Sequence, residues 1–158
     1  MNASIPRLLC AVAMIAVILP TPANATAPGG RYVVTNGGTS NGTVYDTKTK
    51  LTWQQTISST SKSSNYAAKE YCAEVGSGLG GTGWRPPTLK ELQSLVDYSW
   101  PAPPRIDSTA FPGTPSESSL GWFLSASPVA GDSSYAWGVN FNDGGIRVGT
   151  YGYVRCVR

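Results

Sequence analysis

The chain has no histidine among its 158 residues, and that removes more chemistry than any residue present supplies. Ser-His-Asp and Cys-His arrangements cannot be built, and neither can a histidine-ligated metal site. Of three cysteines, Cys10 lies in a leading apolar run, which leaves Cys72 and Cys156. In an oxidising compartment these two pair with each other, so no thiolate nucleophile remains. Paired-carboxylate chemistry needs two acids flanking a substrate. Glu91, Asp97, Asp107, Glu117, Asp132 and Asp143 stand in no recognisable glycosidase context. Calcium needs clustered oxygen ligands. The one such cluster, Asn140, Asn142 and Asp143, falls where a hairpin turn requires those residue types. No catalytic residue, no metal ligand and no cofactor is therefore expected.

Residues 1–25 read as a cleaved signal peptide. Arg7 gives the positive start, residues 8–19 the short apolar run, and Ala23-Asn24-Ala25 the cleavage pattern. The run is too short to span a bilayer comfortably, so no transmembrane anchor is expected after cleavage. Residues 26–158 then fit one exported domain, whether secreted, periplasmic or extracellular. Cleavage removes one arginine and leaves 11 Lys/Arg against 9 Asp/Glu, a net charge of +2. That is no footprint for nucleic acid.

The positioning elements follow from pattern. Strands are expected over 31–35, 43–46 and 51–55, the last two forming a hairpin through the polar turn 47–50. A helix is expected over 65–75, capped by Ser64 or Asn65 and ended by the glycine-rich run 76–83. That run follows a helix rather than a strand, so it is not a phosphate cradle. Residues 83–98, GWRPPTLKELQSLVDY, carry the strongest local signal. Thr88 is an N-cap and Glu91 completes a capping box, and Leu89, Leu92, Leu95 and Val96 recur at helical spacing over a helix 89–98. Arg85 is expected to pair with Asp97 or Asp107, and Trp53, Trp84 and Trp137 to be core. The stretch reads as structural and not as a ligand site. Residues 99–119 are rich in proline and irregular, the kind of long loop that is functional or poorly ordered. Strands over 121–125, 135–141, 146–150 and 153–158 close the chain.

Several of these pieces match one family. LTWQQ at 51–55, Tyr71-Cys72, GWRPPTLKEL at 83–92, Ile106-Asp107, Phe111-Pro112, Ala136-Trp137 with Val139 and Phe141, and the closing Tyr153-Val-Arg-Cys-Val-Arg158 together resemble the Lcl C-terminal domain family. The resemblance covers about residues 30–158. Two positions depart from it. Pro86 stands where leucine is usual, and Trp122-Phe123-Leu124-Ser125 displaces the tryptophan of an aromatic-Trp-Ser pattern, so no role is carried over to Trp122.

The resemblance implies an α+β, C-type-lectin-like domain, with two helices on small antiparallel sheets and a disulfide from the first helix to the last strand. It also implies an adhesin-like role, because the adhesin that names the family binds sulfated glycosaminoglycans through this domain. The groups that would meet sulfates are Arg147, Arg155 and Arg158 near the closing strands, with Lys48 and Lys50 on the first hairpin turn. Trp100 and Tyr151 are the candidate stacking surfaces. Alternation puts Tyr153, Arg155 and Val157 opposite Val154, Cys156 and Arg158, so Arg155 and Arg158 point apart. The competing reading is a structural or protein-interaction module of the bacterial envelope with no glycan ligand, using the Gly/Ser/Tyr/Asn-rich segment 131–152 as its contact surface.

Overall fold

The computed structural model describes residues 28–100, 102–117, 119 and 121–158. The expected signal segment, with Arg7 and Cys10, lies outside the described residues. No helix among the described residues is long and apolar enough to cross a membrane. The chain is a small α+β unit. A sheet of β1 (Tyr32–Thr35), β2 (Thr43–Asp46) and β3 (Thr52–Gln54) precedes two helices, α1 (Asn65–Leu79) and α2 (Leu89–Ser94). A second sheet of β4 (Trp122–Val129), β5 (Asp132–Asn140) and β6 (Ile146–Gly149) follows. Both sheets are antiparallel, in the orders β1-β2-β3 and β4-β5-β6.

The helices start where the sequence says and end elsewhere. The Ser64 hydroxyl accepts from the Ala67 N–H and caps α1. This helix runs on through Gly76 and Gly78 to Leu79 instead of stopping at residue 75. Glycine in a helix costs about 1 kcal/mol, but here the bare face of Gly76 lets the Trp84 indole lie on the helix. For α2 the Thr88–Glu91 capping box is complete in both directions. This helix ends four residues earlier than expected. Leu95 and Val96 donate to carbonyls three residues back, and the Asp97 N–H turns out to the Arg105 carbonyl.

The loop between α2 and β4 is irregular, as expected, but much of it packs against the body of the domain. It carries Ile106, Ala110 and Phe111 into the main core, beside Val44, Trp53, Leu92, Leu95, Phe123, Val139, Phe141 and Val157. Phe111 meets Tyr32 edge-on at 5.1 Å. A smaller core holds Ala68, Cys72, Leu79, Trp84, Val154 and Cys156. Of the three tryptophans expected inside, Trp53 and Trp84 are buried, but Trp137 is only half-buried, paired across the sheet with exposed Val148.

The closing segment 153–158 lies extended but is not a regular strand, because its hydrogen bonds alternate between partners. Tyr153 pairs with Trp122 and Leu124 of β4, Val154 with Ser58, Val157 with Arg85, and Arg158 with Thr52 of β3. The Cys72–Cys156 disulfide joins this segment to α1. Arg85 pairs with Glu91 through two 2.8 Å contacts, not with Asp97 or Asp107. Those aspartates cap local turns instead, at Ser99 and at Thr109 and Ala110.

Two outcomes follow from these contacts. A loop closed over 84 residues of separation stabilises by about 4 kcal/mol on the chain-entropy account. Cys72→Ser and Cys156→Ser should therefore lower unfolding free energy by similar amounts, and a thiol titration of the unfolded, unreduced protein should find neither sulfur. The second concerns acid. The Arg85 guanidinium holds the Glu91 carboxyl below its ordinary value of 4.5, against the opposing effect of burial. A depressed native pKa contributes stability above the unfolded pKa and loses it as pH falls through the native one. Melting temperatures of the parent and of Glu91→Gln should differ at neutral pH and converge as pH falls below the ordinary glutamate range.

Candidate functional site

Register places one cation against two aromatic rings. Arg147 on β6 is opposite Gly138 of β5, which is opposite Leu124 of β4. Cross-strand partners share a face, and Gly138 contributes no side chain to it. Arg147 can therefore lie across β5 towards Trp122. Its guanidinium carbon stands 4.0 Å from the Trp122 ring centroid and 5.9 Å from that of Tyr151. A Cβ at Gly138 would press to 2.8 Å on the Phe123 carbonyl oxygen and come within 3.9 Å of the Trp122 ring. Tyr151 is 52% exposed, while Trp122 and Arg147 are half-buried. The two ion pairs found among the described residues, Arg31–Asp46 and Arg85–Glu91, leave Arg147 out. A stacked guanidinium keeps its planar fork of donors and loses rotational freedom, which suits it to a carboxylate or sulfate.

The other expected site residues do not gather there. Lys48 and Lys50 are exposed on the β2–β3 turn, which the Asp46 carboxylate and carbonyl hold by accepting from their N–H groups. Arg158 is exposed at the end of the closing segment, its guanidinium 5.5 Å from the Trp84 ring. Trp100 is half-buried, and its carbonyl accepts from Arg105 at 2.7 Å. The turn cluster is occupied locally. Asn140 Oδ1 accepts from the Asn142 N–H, Asp143 Oδ1 accepts from the Gly145 N–H, and the Asn142 amide donates to the Ser116 carbonyl.

Arg155 is the clear correction. It is fully buried and cannot meet a ligand from solvent. Its Nη1 donates to the carbonyls of Gln54 and Gln55, and its Nη2 donates to Thr114 Oγ1 at 2.9 Å. The guanidinium sits 4.7 Å from the Phe111 centroid and 5.8 Å from that of Phe123, and Nε has no partner. Burial pushes it down to about 9. Trp122 was missed for the opposite reason. Its displacement from the family pattern removed the expected role, while the strand register that brings Arg147 over it is not visible in a linear pattern.

The profile of the Lcl C-terminal domain matches residues 42–158, most of the chain. The chain belongs to the Lcl C-terminal domain family. No curated protein and no solved structure matches it. Within this family member the WRPPTLKEL block and the closing YVRCVR pair directly, through two backbone hydrogen bonds of 2.9 Å between Arg85 and Val157. The two most specific pieces of the family pattern are therefore neighbours in space.

Removing the Arg155 guanidinium would strand the Gln54 and Gln55 carbonyls and open a gap between Phe111 and Phe123. Arg155→Ala should destabilise by about 3 kcal/mol, measured by denaturant unfolding. The same comparison for Arg147→Ser should stay within about 0.5 kcal/mol, as for a surface substitution.

Proposed function

We propose that this domain is an exported, non-catalytic binding module of C-type-lectin-like architecture that recognises anionic, sulfated glycans in an adhesin-like role. The observation that carries the reading is the Arg147 guanidinium, stacked at 4.0 Å on Trp122 beside exposed Tyr151 and outside both ion pairs. Sulfate oxygens would accept from the guanidinium fork, and a sugar ring would lie on the Tyr151 face. Support for the architecture comes from the α1-to-closing-segment disulfide and from the pairing of that segment with β3. The absence of histidine supports a role without catalysis. Because residues 26–158 carry only +2, with 11 Lys/Arg against 9 Asp/Glu, binding would be local and modest in its salt dependence.

A protein-interaction module of the envelope is the second reading. It is favoured by Tyr135, Ile146 and Val148, which are 42%, 43% and 39% exposed at the β5–β6 end of the second sheet. Heparin chromatography separates the readings. The glycan reading expects retention at low salt, elution by added salt, and about tenfold weaker binding for Arg147→Ser. Flow-through at low salt, with capture of an envelope protein by the glycan-free domain, supports the second reading and sinks the first.

A further inference from the structure

The Trp84 indole separates two cavities. It lies on α1 where Gly76 has no side chain, since a Cβ there would come within 2.9 Å of Trp84 Cβ and Cδ1. One cavity, of about 330 Å³, is walled by Cys72, Ala73 and the glycine-rich run after α1. The other, of about 350 Å³, is lined by Lys69, Trp84, Arg85, Pro86, Thr88 and Ala126.

The lining of the second cavity divides by chemistry. Trp84, Pro86 and Ala126 supply apolar walls. The Thr88 hydroxyl is engaged by the Glu91 N–H, and the Arg85 guanidinium is held by both Glu91 carboxylate oxygens at 2.8 Å. That pair cancels its own charge. Lys69 is exposed and belongs to neither ion pair found among the described residues, so one uncompensated positive charge stands at the mouth. An apolar slot with a single cation at its rim selects an apolar body that carries one acidic group, because a second acid would be desolvated without a partner.

We propose that this cavity binds a small aromatic or aliphatic monoanion, its body against Trp84, Pro86 and Ala126 and its acid group at Lys69. A volume of about 350 Å³ lies at the small end of ligand pockets and suits a single fused-ring or short-chain body. The site is distinct from the Arg147 cluster. Trp122 and Ala126 are four residues apart on β4, about 13 Å of extended strand.

The test titrates the oxidised protein with two fluorescent probes, 1-anilinonaphthalene-8-sulfonate and N-phenyl-1-naphthylamine, which share a ring body and differ in the sulfonate. One saturable site is expected for both, with the sulfonate bound more tightly. Lys69→Gln should weaken the sulfonate probe about fivefold and leave the neutral probe unchanged. Ala126→Trp should fill the slot and remove both. Ala126→Leu, a smaller intrusion, should give a partial loss and serves if circular dichroism shows the tryptophan variant misfolded. Heparin retention, which reads Arg147, should be unchanged in the Ala126 variants. Probe uptake that does not saturate, saturable binding that survives both Ala126 variants, or a sulfonate preference unmoved by Lys69→Gln would each overturn the proposal.

Discussion

Residues 152–158 are the constraint on which the remaining structure depends, because their backbone joins the two sheets. Tyr153 runs parallel to β4 at Phe123, while Val157 runs antiparallel to β3 at Trp53 and to the chain at Arg85. Gly152 and Val154 bind the stretch around Ser58 and Lys62. The side chains follow the two-residue period of an extended chain. Val157 enters the main core with Tyr153 packed against it, and Arg155 lies beside the Phe111 and Phe123 rings of that core. Val154 and Cys156 enter the smaller core with α1. A segment covered on both faces behaves like a central strand, and the disulfide fixes its α1 side.

A fully buried arginine in such a segment looks unfavourable, since an isolated charge is costly to desolvate. No carboxylate joins it in either ion pair found among the described residues. Carbonyl and hydroxyl oxygens from three distant positions, 54, 55 and 114, receive its protons instead. One of those acceptors is available for a structural reason. The Cys156 N–H donates to the Gln54 side-chain oxygen at 3.2 Å and not to the Gln54 carbonyl, which is left for Arg155. Charge-assisted bonds of this kind contribute about 1.5–3 kcal/mol each, and the two phenylalanine rings add a cation–π component. The guanidinium thus ties the irregular loop at Thr114 to both sheets, and explains why that loop packs as core.

What was legible in the sequence was what depends on near neighbours. The Thr88–Glu91 box is fixed by three residues of chemistry, and the β2–β3 hairpin by a polar turn. Elimination among three cysteines was enough to pair Cys72 with Cys156. What was not legible depends on partners far along the chain. Alternation divides the faces of the closing segment correctly, with Arg155 beside the main core and Arg158 over Trp84. A period of two cannot reveal that both faces are covered, so Arg155 read as a surface cation. Gly76 looked like a helix end because propensity carries no knowledge of the Trp84 ring that packs there. The sequence points Arg85 to Asp97 or Asp107, yet its partner is Glu91, the residue that also closes the capping box. One carboxylate has lone pairs for both the Thr88 N–H and the guanidinium.

The arginines of this chain differ in fate although they are chemically identical, and the differences restrict where a ligand can act. Arg155 is sealed inside, and Arg31 and Arg85 are paired with acids. Arg147 is held against two rings and belongs to neither ion pair found among the described residues. Its position depends on Gly138, whose missing side chain is already demanded by the close approach of the Phe123 carbonyl. The packing of β4 on β5 therefore leaves the bare floor over which Arg147 reaches Trp122. A side chain added at Gly138 would disturb the sheet and the site together, whereas a change at Arg147 touches the site alone. At Trp84 the coupling is looser, because Ala126 borders the cavity without entering either core. The WRPPT stretch thus serves the fold through Trp84 and Thr88 while leaving beside them a slot whose size one surface residue can alter.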